Sequence, residues 1–68
     1  MFATLNELHM DDKVIPLSAK EIEAEKVLTV TDIHPLSDDL VGAVTLFNGN
    51  REFTSRTLLF RVIERYWD

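Results

Sequence analysis

The chain contains no cysteine, so neither a disulfide nor a thiolate zinc site can hold it together. It has two glycines, Gly42 and Gly49. A glycine-rich phosphate cradle needs more, which excludes Walker-type and dinucleotide-binding motifs. No apolar run approaches the ~20 residues of a membrane-spanning helix. The opening residues, Met1-Phe2-Ala3-Thr4-Leu5, have neither the basic stretch nor the apolar stretch of a secretory leader. The expected location is the cytoplasm. Positive charge is scarce too. Seven Lys and Arg stand against twelve Asp and Glu, a net charge of −5. Nucleic-acid binding rests on clustered positive charge, so composition argues against it.

Catalytic constellations are also missing. No serine is flanked by glycines as a nucleophile would be, and nothing suggests an oxyanion site. His9 and His34 are the only histidines. With Asp11, Asp12, Asp32, Asp38 and Asp39 they offer metal-binding donor types. Their spacing matches neither a histidine pair one helical turn apart nor a calcium loop. The expectation is a non-enzymatic protein with no cofactor and no metal.

What is present fits one small globular domain spanning residues 1–68. Hydrophobic residues make up 46% of the chain and charged residues 28%. A chain of this length buries roughly 60% of its unfolded surface, so its core is thin. The charge is unevenly spread. Residues 1–39 hold nine acids and three lysines, and residues 40–68 hold three acids and four arginines.

Asn48-Gly49 is the strongest local signal, because this pair favours the backbone of a tight hairpin turn. A two-residue loop there opposes Phe47 to Asn50, Leu46 to Arg51, Thr45 to Glu52 and Val44 to Phe53. Val44, Leu46 and Phe53 then share the buried face, and Thr45 and Glu52 the wet one. Residues 27–33 alternate and are β-branched, which predicts a strand ended by Pro35. Residues 40–47 predict the next strand, with Gly42 marking a bend, a bulge or a close approach. Residues 13–15 predict a short strand that Pro16 ends or confines to an edge. Phe2, Leu5 and Leu8 suggest one helical turn with its apolar edge inward. Asp11-Asp12 is turn chemistry. Ser18 and Glu21 match a capping box before a short acidic helix or loop. The last segment is ambiguous. Leu59, Val62, Ile63 and Tyr66 have helical spacing, but Phe60, Val62, Glu64 and Tyr66 alternate. A tight turn over 56–59 and a strand over 60–66 is preferred to a helix.

The predicted fold class is therefore mainly β. It is either a small SH3-like barrel or a twisted antiparallel sheet of about five short strands, with one short helical turn. The alternative is an α+β hairpin meander with a C-terminal helix. The order of elements resembles small SH3-like barrels across most of the chain, without a signature motif. The aromatic ligand groove of peptide-binding SH3 domains is not recognisable, so a proline-rich ligand is not implied. Size, acidity and lack of chemistry resemble small proteins of phages and mobile elements that bind and block host machinery.

Three functions follow as expectations. The first is a protein-interaction module, in its sharper form an inhibitor of a host nucleic-acid-handling or defence protein. Its acidic first half would steer it to a basic partner. The candidate contacts are Glu21, Glu23 and Glu25 in the acidic stretch, and Arg61, Arg65 and Trp67 in the last segment. If residues 60–66 form a strand, Arg61, Ile63, Arg65 and Trp67 share one face, and Trp and Arg are the commonest interface anchors. The second is a small-barrel nucleic-acid binder, or a subunit of such an assembly, that uses Arg51, Arg56, Arg61 and Arg65. The third is a structural protein that pairs with its own copies along an edge strand.

Overall fold

Short segments in which burial largely alternates build one antiparallel sheet. The computed structural model describes residues 1–17 and 26–65. Its strands are Phe2–Thr4 (β1), Lys13–Pro16 (β2), Leu28–Ser37 (β3), Leu40–Phe47 (β4), Glu52–Ser55 (β5) and Leu59–Glu64 (β6). One 3-10 turn, Leu5–Glu7, follows β1. The spatial order is β1-β6-β2-β3-β4-β5. The fold is thus mainly β, with six strands rather than about five. The last segment is a strand, not a helix. It starts at Leu59, so the linker from β5 is shorter than the predicted turn.

The sheet is open, since among the described residues β1 and β5 each pair on one side only. It is nevertheless strongly coiled. Residues 56–58 join β5 to β6, four positions apart in the sheet. Such a link spans about 14 Å at most, whereas four flat strand spacings need about 19 Å. The sheet must curl to bring these strands closer. Its concave side holds the core: Val14, Val30, Val44, Leu46 and Phe60 are fully enclosed, with Ala3, Leu28 and Val62 beside them. Leu5 and Leu8 enter the same core. Phe2 does not, and stays 65% exposed. Residues 2–4 are extended rather than helical, so Phe2 and Ala3 point to opposite faces.

The β4–β5 hairpin has a different register from the one predicted. Phe47 opposes Glu52, Leu46 opposes Phe53, and Val44 opposes Ser55. Four residues, 48–51, form the loop. The Asn48 side chain explains this, because its Oδ1 accepts from the Asn50 N–H (2.8 Å) and the Arg51 N–H (3.0 Å). Gly49 adopts φ 100°, which a residue with a side chain resists. The shift is by two residues, so the faces keep their parity. Val44 is buried, Phe53 packs against the core and Glu52 is exposed.

Pro35 does not end β3, which runs to Ser37. Only residues 28 and 29 of β3 pair with β2. Beyond Val30, which bonds Asp11 and Asp12, that side of β3 has no partner strand among the described residues, and there the missing proline N–H costs no ladder bond. Two register shifts flank Pro35. One leaves Gly42 as the extra residue on β4. A Cβ there would lie 2.5 Å from Leu36 Cγ, so Gly42 meets both a bulge and a close approach.

The Leu5–Glu7 turn is fastened by Glu7. Its Oε1 accepts from the Thr4 N–H (2.8 Å) and the Thr4 hydroxyl (3.0 Å). The backbone bond above all, then the hydroxyl, holds the Glu7 carboxyl below its ordinary value of 4.5, with help from the Arg65 charge. A depressed acid stabilises the fold above its ordinary value, and that contribution fades as pH falls through the lower folded value. A carbon-detected NMR titration of Glu7 should give a midpoint below 4.5, and the Thr4 amide should lose its hydrogen-exchange protection over the same pH range. A Glu7 midpoint at or above the ordinary value would contradict the bond.

Candidate functional site

Edge position and pleat together create an exposed apolar face on the convex side of β1, β6 and β2. Arg61 sits directly opposite Phe2 on β1 and opposite Ile15 on β2. Residues directly opposed across strands point to the same face. Leu59 and Ile63, two residues either side of Arg61, join them there. Phe2 is 65% exposed, Ile63 45% and Leu59 43%. Arg61 is exposed as well, and makes no hydrogen bond or ion pair among the described residues. An uncommitted guanidinium ringed by four apolar side chains is an arrangement found at interface centres.

Arg65 does not share this face. Between Val14↔Val62 and Lys13↔Glu64, one step on β2 spans two on β6. The extra β6 residue makes a bulge, which reverses the parity beyond it. Arg65 is thereby aimed at Asp12, which is fully buried. Arg65 Nη2 lies 3.1 Å and Nε 3.2 Å from Asp12 Oδ2. Nη2 also donates to the Glu7 carbonyl at 3.0 Å. Asp12 Oδ2 accepts the His9 N–H at 2.9 Å. The guanidinium of Arg65 is committed to the interior.

Of the other sequence candidates, Glu21, Glu23, Glu25 and Trp67 lie outside the described residues, as does the Ser18–Glu21 capping box. Both histidines are exposed. His34 Nε2 is 2.7 Å from the Thr45 hydroxyl, and His9 Nδ1 is 3.1 Å from the Glu7 carbonyl. A cleft of about 330 Å³ runs along His34, Pro35, Leu36, Gly42, Ala43 and Arg56. Among the described residues, the ionisable side chains that line it are His34 and Arg56.

Phe2, Ile15 and Leu59 were not legible as site residues. Each is an ordinary core residue type, and only the pairing of β1 and β2 with β6 reveals that they surround Arg61. Among the described residues no helix is long and apolar enough to cross a membrane. Searches of family models, curated proteins and solved structures find nothing that matches the chain.

Proposed function

We propose that the protein is a non-enzymatic protein-interaction module that binds through the convex face of β1, β6 and β2. One observation carries this reading. Arg61 is exposed, unpaired among the described residues, and surrounded by Phe2, Ile15, Leu59 and Ile63. Such a face takes a partner that presents a carboxylate within an apolar rim. The net charge of −5 steers the approach toward a partner that is basic elsewhere on its surface. A phage or mobile-element protein that occupies a surface of a host nucleic-acid-handling or defence protein is the sharper form. Small size and acidity support it.

The test is affinity capture from the native cell, followed by titration of the purified partner. Arg61→Glu should weaken binding about 30-fold or more, the loss of a central anchor. Ile63→Ser should weaken it less, and Asn50→Ala, on the distant hairpin loop, should leave it unchanged. Equal affinity for wild type, Arg61→Glu and Ile63→Ser would discard this face.

A further inference from the structure

The second surface with unused bonding capacity is the outer edge of β5. The sheet order ends at β5, which has β4 on one side and, among the described residues, no strand on the other. Backbone polarity along it can be read from the loop. The Asn48 N–H donates to the Arg51 carbonyl at 3.2 Å. In an antiparallel pair, bonded and non-bonded residue pairs alternate. Phe53 and Ser55 therefore turn their N–H and C=O groups toward β4, and Glu52 and Thr54 turn theirs outward. The other side of β4 agrees. The Thr45 carbonyl, opposite Thr54, accepts the Thr31 hydroxyl from β3 at 3.4 Å, so it points away from β5.

Among the described residues this edge lacks the proline, the bulge and the covering strand that guard other edges. It carries no proline, and its register with β4 runs through four pairs without a shift. The far part of β3, by contrast, has Pro35 and several shifts. Charges are the remaining guard, and here they are arranged as a complement. Glu52, Thr54 and Arg56 follow one another at alternate positions and share the convex face, where Glu52 Oε2 accepts the Thr31 hydroxyl at 2.9 Å and Oε1 has no bond among the described residues. Arg56 is exposed and has no hydrogen bond or ion pair among the described residues.

We infer that β5 pairs antiparallel with β5 of a second copy of this chain, about a two-fold axis at Thr54. Each Glu52 then faces Arg56 of the other copy, and Thr54 faces its own equivalent. The outward backbone groups of Glu52 and Thr54 find partners, and the two sheets become continuous. Moving the axis to Phe53 sets Arg56 opposite Asn50, and moving it to Ser55 sets Glu52 opposite Leu58. Neither makes the ion pairs, so charge selects the Thr54 register. The contact is isologous and closes at two copies. It is independent of the Arg61 face.

One strand pair lies below the size of a standard interface, so the association depends on concentration in the range of roughly 10–500 µM. Sedimentation velocity across that range should show the mass rising from 7.8 kDa toward twice that value. Arg56→Glu opposes like charges twice and should weaken the dimer about tenfold or more. The E52R/R56E double variant restores both pairs and should recover it. Thr54→Pro removes an outward N–H without touching the β4 ladder, and should give a folded monomer by circular dichroism. A wild type that stays monomeric throughout would overturn the inference. So would Arg56→Glu and Thr54→Pro variants that dimerise like wild type, or a charge swap that fails to recover dimerisation in a folded protein.

Discussion

Asp12→Ala should lose about 3–5 kcal/mol of stability, the usual cost of stripping one partner from a buried ion pair. A chain of this size has only about 3–10 kcal/mol in total, so the variant should lose a large share of its stability at 25 °C. Three pieces of the fold meet at this residue, two of them through its carboxylate. Its Oδ2 accepts from the His9 N–H and from Arg65 at the end of β6. Arg65 in turn holds the Glu7 carbonyl of the 3-10 turn. The Asp12 carbonyl accepts the Val30 N–H of β3 at 2.9 Å. Without the carboxylate, a guanidinium whose side chain is 12% exposed keeps its desolvation cost and loses its counter-charge. Arg65→Met should cost a similar amount, by stranding the carboxylate instead. The double variant Asp12→Leu/Arg65→Met removes both charges together and should regain more than half of the loss. Urea unfolding of the four proteins measures this directly. A loss of less than about 1 kcal/mol in Asp12→Ala would mean that the pair does not hold these pieces together.

Local chemistry made much of the sheet legible, and cross-strand chemistry hid the rest. Asn48-Gly49 located the β4–β5 hairpin, and alternation placed Val44 and Phe53 inward. The register escaped because the Asn48 side chain captures two backbone N–H groups and lengthens the loop. Parity survived only because the shift was an even number of residues. Asp11 and Asp12 looked alike as turn residues. Asp11 is one, with φ 68°, while Asp12 is buried against a residue 53 positions away. No neighbour in the sequence separates them. Arg65 was placed beside Arg61 because simple alternation put it there, and the β2–β6 bulge that redirects it exists only once the strands pair. The site shares this limit. Arg61 could be picked out as an arginine on a strand, but its apolar surround comes from β1 and β2, which reach β6 from elsewhere in the chain.

Phe60→Ala should cost about 3–5 kcal/mol, as large aromatic-to-alanine changes in a closed core do, and should also remove a large share of the stability of so small a chain. Phe60 is fully enclosed and opposes Ala3 on β1 and Pro16 on β2, both buried. Ala3 is small, so the ring fills much of the space beneath the β1–β6 contact, and among the described residues Phe60 is the one fully enclosed aromatic of the core. The same ring positions the candidate face. Leu59 and Arg61 are its chain neighbours and point the opposite way, so the packing that fixes Phe60 inward fixes them outward. Phe60→Leu keeps most of the volume and should cost about 1–2 kcal/mol, leaving a folded protein. Thermal unfolding followed by near-ultraviolet circular dichroism ranks the three chains. Binding of the partner at the Arg61 face should persist in Phe60→Leu with little change in affinity, because the apolar ring around Arg61 stays in place. A Phe60→Ala protein that melts within a few degrees of wild type would mean that β1 and β2 are held to β6 by something other than this core.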